Sequence, residues 1–350
     1  AYAVGGCIRD SILGRNPDDW DITTSAVPSQ IKTFFKRTVD TGIAHGTVTI
    51  MIDKTGYEVT TYRIDGEYED GRHPKSVEFS DRLVDDLCRR DFTINAMAYN
   101  DTDGFVDEFK GLDDLDTKII RCVGEPELRF TEDALRMMRA IRFSAQLGFT
   151  IDEATWNAIK KLSPSISKIS MERVHVELGK TLMSAHPDYV AQYSEAGLFA
   201  PILPVIDNAL KSRYKRKILA TLQHTPDNIY LRYAALFITS TPDEAAKTLR
   251  ALKLDNKTVN TVSKLVELSK MDIEETEPAV RTALNKYGRD FLPLWHELMM
   301  AVIQASEDIT GISNPAKVKH LLTLKRLGTD ILARGDCFTI KAVSYTHLRA

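Results

Sequence analysis

Cysteine is scarce: Cys7, Cys88, Cys122 and Cys337 are the only four, and no two form a C-x-x-C pair. That scatter argues against a disulfide framework or a zinc knuckle and implies reduced thiols, as in a cytoplasm. Long apolar runs are missing as well. With no stretch of ~18 apolar residues, neither a transmembrane helix nor a membrane partner is expected. Neither sign of charge is in excess. Forty-six Lys and Arg stand against 49 Asp and Glu, net −3, so bulk charge does not point to nucleic acid and any phosphate binding must come from local clusters. Walker A, G-x-G-x-x-G and H-E-x-x-H patterns are absent, which sets aside the chemistries tied to them.

What is present fits a globular chain of several modules: 350 residues, 43% hydrophobic and 27% charged. The opening, AYAVGGCIRD, has neither an initiator Met nor a signal-peptide pattern. The last eight residues, Val343 to Ala350, resemble translated sequencing-adapter sequence, and no function is built on them.

The first ~120 residues read as α/β. Strand signals fall at Gly46 to Ile52 and Tyr57 to Tyr62, joined across Asp53-Lys54-Thr55-Gly56, a polar link whose glycine suggests a hairpin. Others occur at Ala96 to Tyr99, Phe105 to Phe109 and Ile119 to Val123. Beyond Glu125 the pattern is helical. Thr131 is expected to cap a helix with Leu135, Met138, Ile141 and Ala145 on its apolar side, and 208–222 reads as one helix among several. The fold expected is α+β, a mixed-sheet head followed by an all-helical remainder.

Three clusters could carry chemistry. Gly5-Gly6 with Arg9-Asp10 precedes Asp19-Trp20-Asp21. Glycines let backbone amides approach a phosphate, and residues two apart in a strand share a face. Asp19 and Asp21 would then present two carboxylates suited to Mg²⁺, unless they are simply a solvated pair. Glu58 lies on a strand downstream. Next, Arg89-Arg90 could clamp a triphosphate with their guanidinium forks, or form surface salt bridges to Asp85, Asp86 or Asp91. Third, Asp133, Arg136, Arg139 and Arg142 recur at one-turn spacing. The bland reading is an i,i+3 ion pair worth ~0.2–0.5 kcal/mol. The sharper one concerns base edges. A carboxylate beside a guanidinium complements the amino donor and ring-nitrogen acceptor shared by cytosine and adenine. Uracil and guanine reverse that order, and each unsatisfied buried group costs ~1–3 kcal/mol. A basic run (Lys211, Arg213, Lys215, Arg216, Lys217) is either a solvated face or a nucleic-acid contact.

Taken in order, these motifs resemble the class II tRNA nucleotidyltransferases, the CCA-adding enzymes, and bacterial poly(A) polymerases share much of the set. The set comprises the glycines before Arg9-Asp10, D-W-D, Y-E-V-T-T, D-G-x-Y-x-D-x-R-x-P (Asp65 to Pro74), R-R-D-F-T-I-N-A (Arg89 to Ala96) and E-D-A-L-R-M-M-R-A-x-R-F (Glu132 to Phe143). The likeness is dense to residue 180 and thins afterwards. It implies a nucleotidyltransferase palm at 1–124, a helical neck at 125–200, a body at 201–300 and a partial tail at 301–342, with 343–350 outside the fold. It implies that Asp19 and Asp21 bind Mg²⁺ and that Glu58 is a third acidic residue of the catalytic centre. Gly6, Arg9 and Arg90 would hold the nucleotide with Arg139 and Arg142, while Asp133 and Arg136 read the base. Asp65 to Pro74 would be a mobile loop. The substrates implied are tRNA, CTP and ATP, and the location cytoplasmic. No His-Asp dipeptide occurs, so the phosphohydrolase module of some relatives is not expected. The alternatives are a poly(A) polymerase, an enzyme adding only CC or only A, a nucleotidyltransferase acting on a protein or an antibiotic, and a non-catalytic RNA-binding module.

Overall fold

A computed structural model describes residues 1–66 and 76–335. Most of the Asp65 to Pro74 loop, Cys337 and the adapter-like end lie outside the described residues. The chain divides into two compact units, residues 1–169 with 196–198, and residues 170–195 with 199–350.

The first unit begins β1 (Tyr2–Val4), α1 (Gly6–Ile12), β2 (Asp21–Thr24), α2 (Pro28–Phe34), β3 (Thr38–Gly42), β4 (Thr47–Ile52) and β5 (Thr55–Thr61). It continues through β6 (Arg63–Asp65), β7 (Val77–Phe79), α3 (Leu83–Cys88), β8 (Ala98–Asn100), β9 (Gly104–Val106), α4 (Gly111–Asp116) and β10 (Ile119–Ile120). It ends with α5 (Pro126–Glu132), α6 (Leu135–Leu147), β11 (Thr150–Ile151) and α7 (Glu153–Leu162). Seven strands form one mixed sheet in the order β3-β4-β5-β2-β1-β8-β9. Only β2 and β5 run parallel within it, and that pairing sets Asp21 beside Glu58.

The β4–β5 hairpin shows why the sheet forms here. Val48 and Ile50 alternate inward and pack with Val59 and Ile31, while intervening residues face outward. The turn is tighter than the four-residue link expected. Ile52 pairs with Thr55, leaving Asp53 and Lys54 at the tip with φ of 48° and 70°. Two consecutive positive φ values define the two-residue turn whose twist suits a hairpin. Gly56 sits inside β5 opposite Met51, not in the turn. A second core of Val4, Leu87, Ala96, Ala98 and Val123 lies under the other end of the sheet.

Two further expectations are corrected. Phe105 to Phe109 shortens to β9 because its pairing with β8 stops at Val106. Ile119 to Val123 divides into β10, which pairs with β11 to Ile120, and an isolated antiparallel bridge of Cys122 to Phe92. Thr131 does not cap α6. It lies inside α5, where its hydroxyl donates to the Glu127 carbonyl, and the chain breaks at Asp133.

The second unit is helical: α8 (Met171–Leu182), α9 (Val190–Glu195), α10 (Pro204–Lys211), α11 (Lys215–His224), α12 (Ile229–Leu236) and α13 (Pro242–Ala251), followed by α14 (Asn256–Leu268), α15 (Glu277–Tyr287), α16 (Phe291–Thr310) and α17 (Pro315–Ala333). Side-chain caps start many of them: Asn228 accepts from the Tyr230 amide, Thr241 and Glu244 form a reciprocal capping box, and Asp255 accepts from Thr258. The single helix expected over 208–222 is two. Ser212 Oγ donates to the Ala209 carbonyl and accepts from the Tyr214 amide, so one hydroxyl closes α10 and turns the chain into α11. No described helix is long and apolar enough to cross a membrane.

Candidate active site

Asp21 is the first residue of β2, and Asp19 precedes it outside the strand. The D-x-D pair therefore straddles a strand end instead of sitting within it, and both side chains are exposed. Protein packed around Asp21 pushes its carboxyl above the usual range, Arg90 pulls it back, and the nearby Asp19 charge lifts it further. Asp21 thus feels the like charge of Asp19, and paired carboxylates are hard-oxygen donors of the kind a divalent cation takes. Among the described residues no group of three His, Cys, Asp or Glu is arranged to hold a metal. Glu58 is the strand neighbour of Asp21. Two carboxylates suffice for Mg²⁺ when substrate phosphates supply the other oxygens.

The glycine pair divides in role. Gly5 has φ +82°, and a Cβ there would lie 2.8 Å from Arg90 Nη1. Only glycine lets the chain turn under that guanidinium. At Gly6 a Cβ would meet nothing closer than Arg9 Nη2 at 3.7 Å, so no comparable crowding applies.

Arg89 and Arg90 are not held by a surface salt bridge. Both reach Asp86, whose side chain is wholly buried. Arg89 donates through Nε and Nη2 to one oxygen at 2.9 and 2.6 Å. The other oxygen accepts from Arg90 Nη2 and Thr23 Oγ1, each at 3.1 Å. Burial alone would raise Asp86, but the two guanidiniums outweigh it and hold the carboxyl below its ordinary range. Arg90 Nε is buried without a hydrogen-bond partner.

A second network joins distant motifs. Arg9 chelates Asp10 through Nε and Nη2 and donates from Nη1 to Asn95 Oδ1 at 2.6 Å. Asn95 Nδ2 donates to Asp91 Oδ1 at 3.1 Å, and Arg139 Nε donates to Asp91 Oδ2 at 2.7 Å. Burial would raise Asp91, yet Arg139, Asn95 and Arg136 together lower its carboxyl to about 2. Arg9, Arg139 and Arg142 converge on the Phe143 ring, their guanidinium carbons 5.0, 5.3 and 3.6 Å from its centre. Such contacts are attractive because the ring face is electron-rich. Sequence names Asp86 only as a possible surface partner of the two arginines, and it does not single out Asn95 or Phe143, although both stand inside the quoted motifs. Polar residues within apolar stretches were the available signal, and only burial reveals their partners.

The helix break at Asp133 changes the expected geometry of the third cluster. Asp133 Oδ1 accepts from the Leu135 amide at 3.0 Å, so this carboxylate opens α6. Arg136, in the first turn of α6, donates through Nη1 to Glu132 at 2.8 Å and through Nη2 to the Arg89 carbonyl at 3.0 Å. Arg136 is thereby tied to the Arg89-Arg90 segment, 47 residues earlier in sequence. Arg142 lies deeper, with Nη1 donating to Gln146 at 2.7 Å.

Two family models match the chain: the poly A polymerase head domain over residues 1–121, and the probable RNA and SrmB-binding site of polymerase A over residues 148–210. A CCA-adding enzyme of Streptococcus suis is 39% identical over 333 residues, covering 93% of this chain and 79% of that protein. One from Ligilactobacillus salivarius is 53% identical over 187 residues, which is 53% of this chain. That match covers 46% of the lactobacillus protein, and several curated relatives are likewise matched over about half their length. Among solved structures, the Bacillus stearothermophilus CCA-adding enzyme in complex with CTP superposes with a TM-score of 0.71 at 33% identity. The match covers 95% of this chain and 78% of that one.

Proposed function

We propose, for a chain that belongs to the CCA-adding enzymes, that it adds C, C and A to tRNA 3′ ends from CTP and ATP, releasing pyrophosphate. The observation that carries this reading is the placing of Asp19 and Asp21 at the start of β2, with Glu58 alongside and the Arg90 guanidinium over Gly5, in a head that matches the family model. In the reaction the RNA 3′-hydroxyl oxygen bonds to the nucleotide α-phosphorus, the bond from that phosphorus to the bridging oxygen breaks so that pyrophosphate departs with it, and the hydroxyl proton passes to solvent water. Asp19 and Asp21 would hold Mg²⁺. The chemistry supplied there would be Lewis-acid polarisation of the phosphate and easier ionisation of the attacking hydroxyl.

The remaining roles belong to the chain itself. Glu58, paired with Asp21 in the sheet, is assigned to the attacking hydroxyl. Arg90 and Arg9 donate to the triphosphate beside the Gly5-Gly6 turn, with Arg139 and Arg142 completing a positive wall. Asp133 accepts from the exocyclic amino group of C or A, and Arg136 donates to the adjacent ring nitrogen. The Arg136 plane is steadied for that task by Glu132 and the Arg89 carbonyl. Residues 1–124 would act as head and 125–200 as neck, while 201–300 and 301–342 would grip tRNA. The cytoplasm is the proposed location.

Incubation with tRNAs ending before CCA, after C and after CC, each NTP supplied separately, tests the reading. Sequenced products should gain C, C and A in order and then stop. A run of A would identify a poly(A) polymerase, and no extension of any tRNA would overturn enzymatic addition.

A further inference from the structure

We infer that Asp86 is a positioning residue for nucleotide transfer, acting through Arg90. It rests on the nucleotide-binding role proposed for Arg90, and it extends that reading to a residue that touches no substrate.

Asp86 joins three elements of the site. Through Thr23 Oγ1 it grips β2, the strand that begins with Asp21. Through Arg90 Nη2 it holds the guanidinium that lies over Gly5 and acts electrostatically on Asp21. Through Arg89 it fixes the segment whose carbonyl receives Arg136. Asp86 is shared by both guanidiniums, and Arg89 also approaches the buried Asp65 carboxylate at 4.0 Å, so Arg90 holds only a share of one buried carboxylate. Arg90, with a buried Nε that has no partner, carries spare donors beside the carboxylates. A filler chosen only for stability would be apolar, since a buried ion cluster must offset a large desolvation cost. A cluster that leaves one guanidinium under-satisfied instead suits a site awaiting an anion. In that arrangement Asp86 sets the direction of Arg90, and Arg90 meets the phosphate.

The test is a double-mutant cycle of Asp86→Asn and Arg90→Ala, read as kcat and KM for CTP on a tRNA ending before CCA. Asp86→Asn keeps the shape and removes the charge, and should raise the CTP KM about tenfold, as loss of a charge-assisted hydrogen bond does. The KM for tRNA should stay unchanged, and the double variant should be no worse than Arg90→Ala alone. Losses that multiply, or an equal shift in tRNA KM, would overturn the inference. Should Asp86→Asn fail to fold by circular dichroism, Thr23→Val removes the tether to β2, together with the hydroxyl's contact with the Thr60 carbonyl, and leaves the Asp86 charge in place. Its rise in CTP KM must vanish in the Arg90→Ala background, and persistence there counts against Asp86. If the wild type extends no tRNA, the proposed function fails while the cycle is still read as equilibrium affinity for CTP. Multiplying losses of affinity, or no CTP binding by the wild type, then overturn the Asp86 inference.

Discussion

Asp91 carries opposite demands in one carboxyl: its burial favours the neutral form, and the Arg139, Asn95 and Arg136 contacts favour the charged one. The contacts win, lowering it from 3.8 to about 2. A depressed folded-state value contributes stability that is complete above the unfolded value and lost as pH falls through the folded one. Between pH 4 and 2 the protein should lose about 2 kcal/mol from this group. Urea unfolding of wild type and Asp91→Asn across that range checks it. Asp91→Asn should be less stable at pH 6, with the gap narrowing towards pH 2. A gap independent of pH would refute the assignment. Cysteine reactivity offers a second check at this scale. Burial pushes Cys122 up to about 12 and raises Cys7 as well, while Cys88 is exposed. A Cys337→Ser protein should therefore titrate one thiol rapidly at pH 8, and Cys88→Ser should abolish that fast phase. The metal assignment is tested by Asp19→Ala and Asp21→Ala. Both should keep the native circular dichroism and lose nucleotide addition, since each side chain is exposed. Near-normal activity in both would exclude it.

At the scale of elements, the break between α5 and α6 decides how Asp133 is probed. Its side chain caps α6, so Asp133→Ala should cost about 1 kcal/mol of stability whatever its role. Asp133→Asn keeps the cap and exchanges one acceptor for a donor. If the carboxylate reads the amino group of C and A, both variants should raise incorporation of UTP and GTP relative to CTP and ATP. If it only caps the helix, Asp133→Asn should show wild-type ratios of kcat/KM among the four nucleotides. The same break marks where sequence reading stops. The alternation of Val48 and Ile50 and the order of strands before helices were legible, because periodicity reports which face is buried. The split at Asp133, the turn at Asp53-Lys54 and the kink at Ser212 were not. Each depends on one side chain or a pair of backbone angles, which compete locally with a pattern that still reads as continuous. Likewise Asp19, Asp21 and Arg90 stood out as charged residues in a known order. Asp86 did not, because a carboxylate among Asp85, Asp86 and two arginines reads as surface charge until its burial is seen.

For the molecule as a whole, a net charge of −3 means that, on the proposed function, tRNA would have to be gripped by particular cations, and the basic run from the end of α10 supplies a graded set. Lys211 is paired with Asp207 and Lys215 with Glu195, both at 2.8 Å, while the Arg213 guanidinium carbon lies 5.0 Å from the centre of the Tyr214 ring. Arg216 is exposed and has none of these pairings. A cation already compensated by a carboxylate displaces fewer counterions from a phosphate than an uncompensated one. On the proposed function, Arg216→Ala should weaken tRNA binding and reduce the slope of log affinity against log salt by about one, the loss of a single phosphate contact. Lys211→Ala should leave that slope unchanged, since its charge is spent on Asp207, and neither variant should alter the KM for CTP. Filter binding from low to moderate KCl separates the two. Equal slopes for Arg216→Ala and wild type would remove this run from the tRNA-binding surface and return it to the solvated face that its composition alone allows.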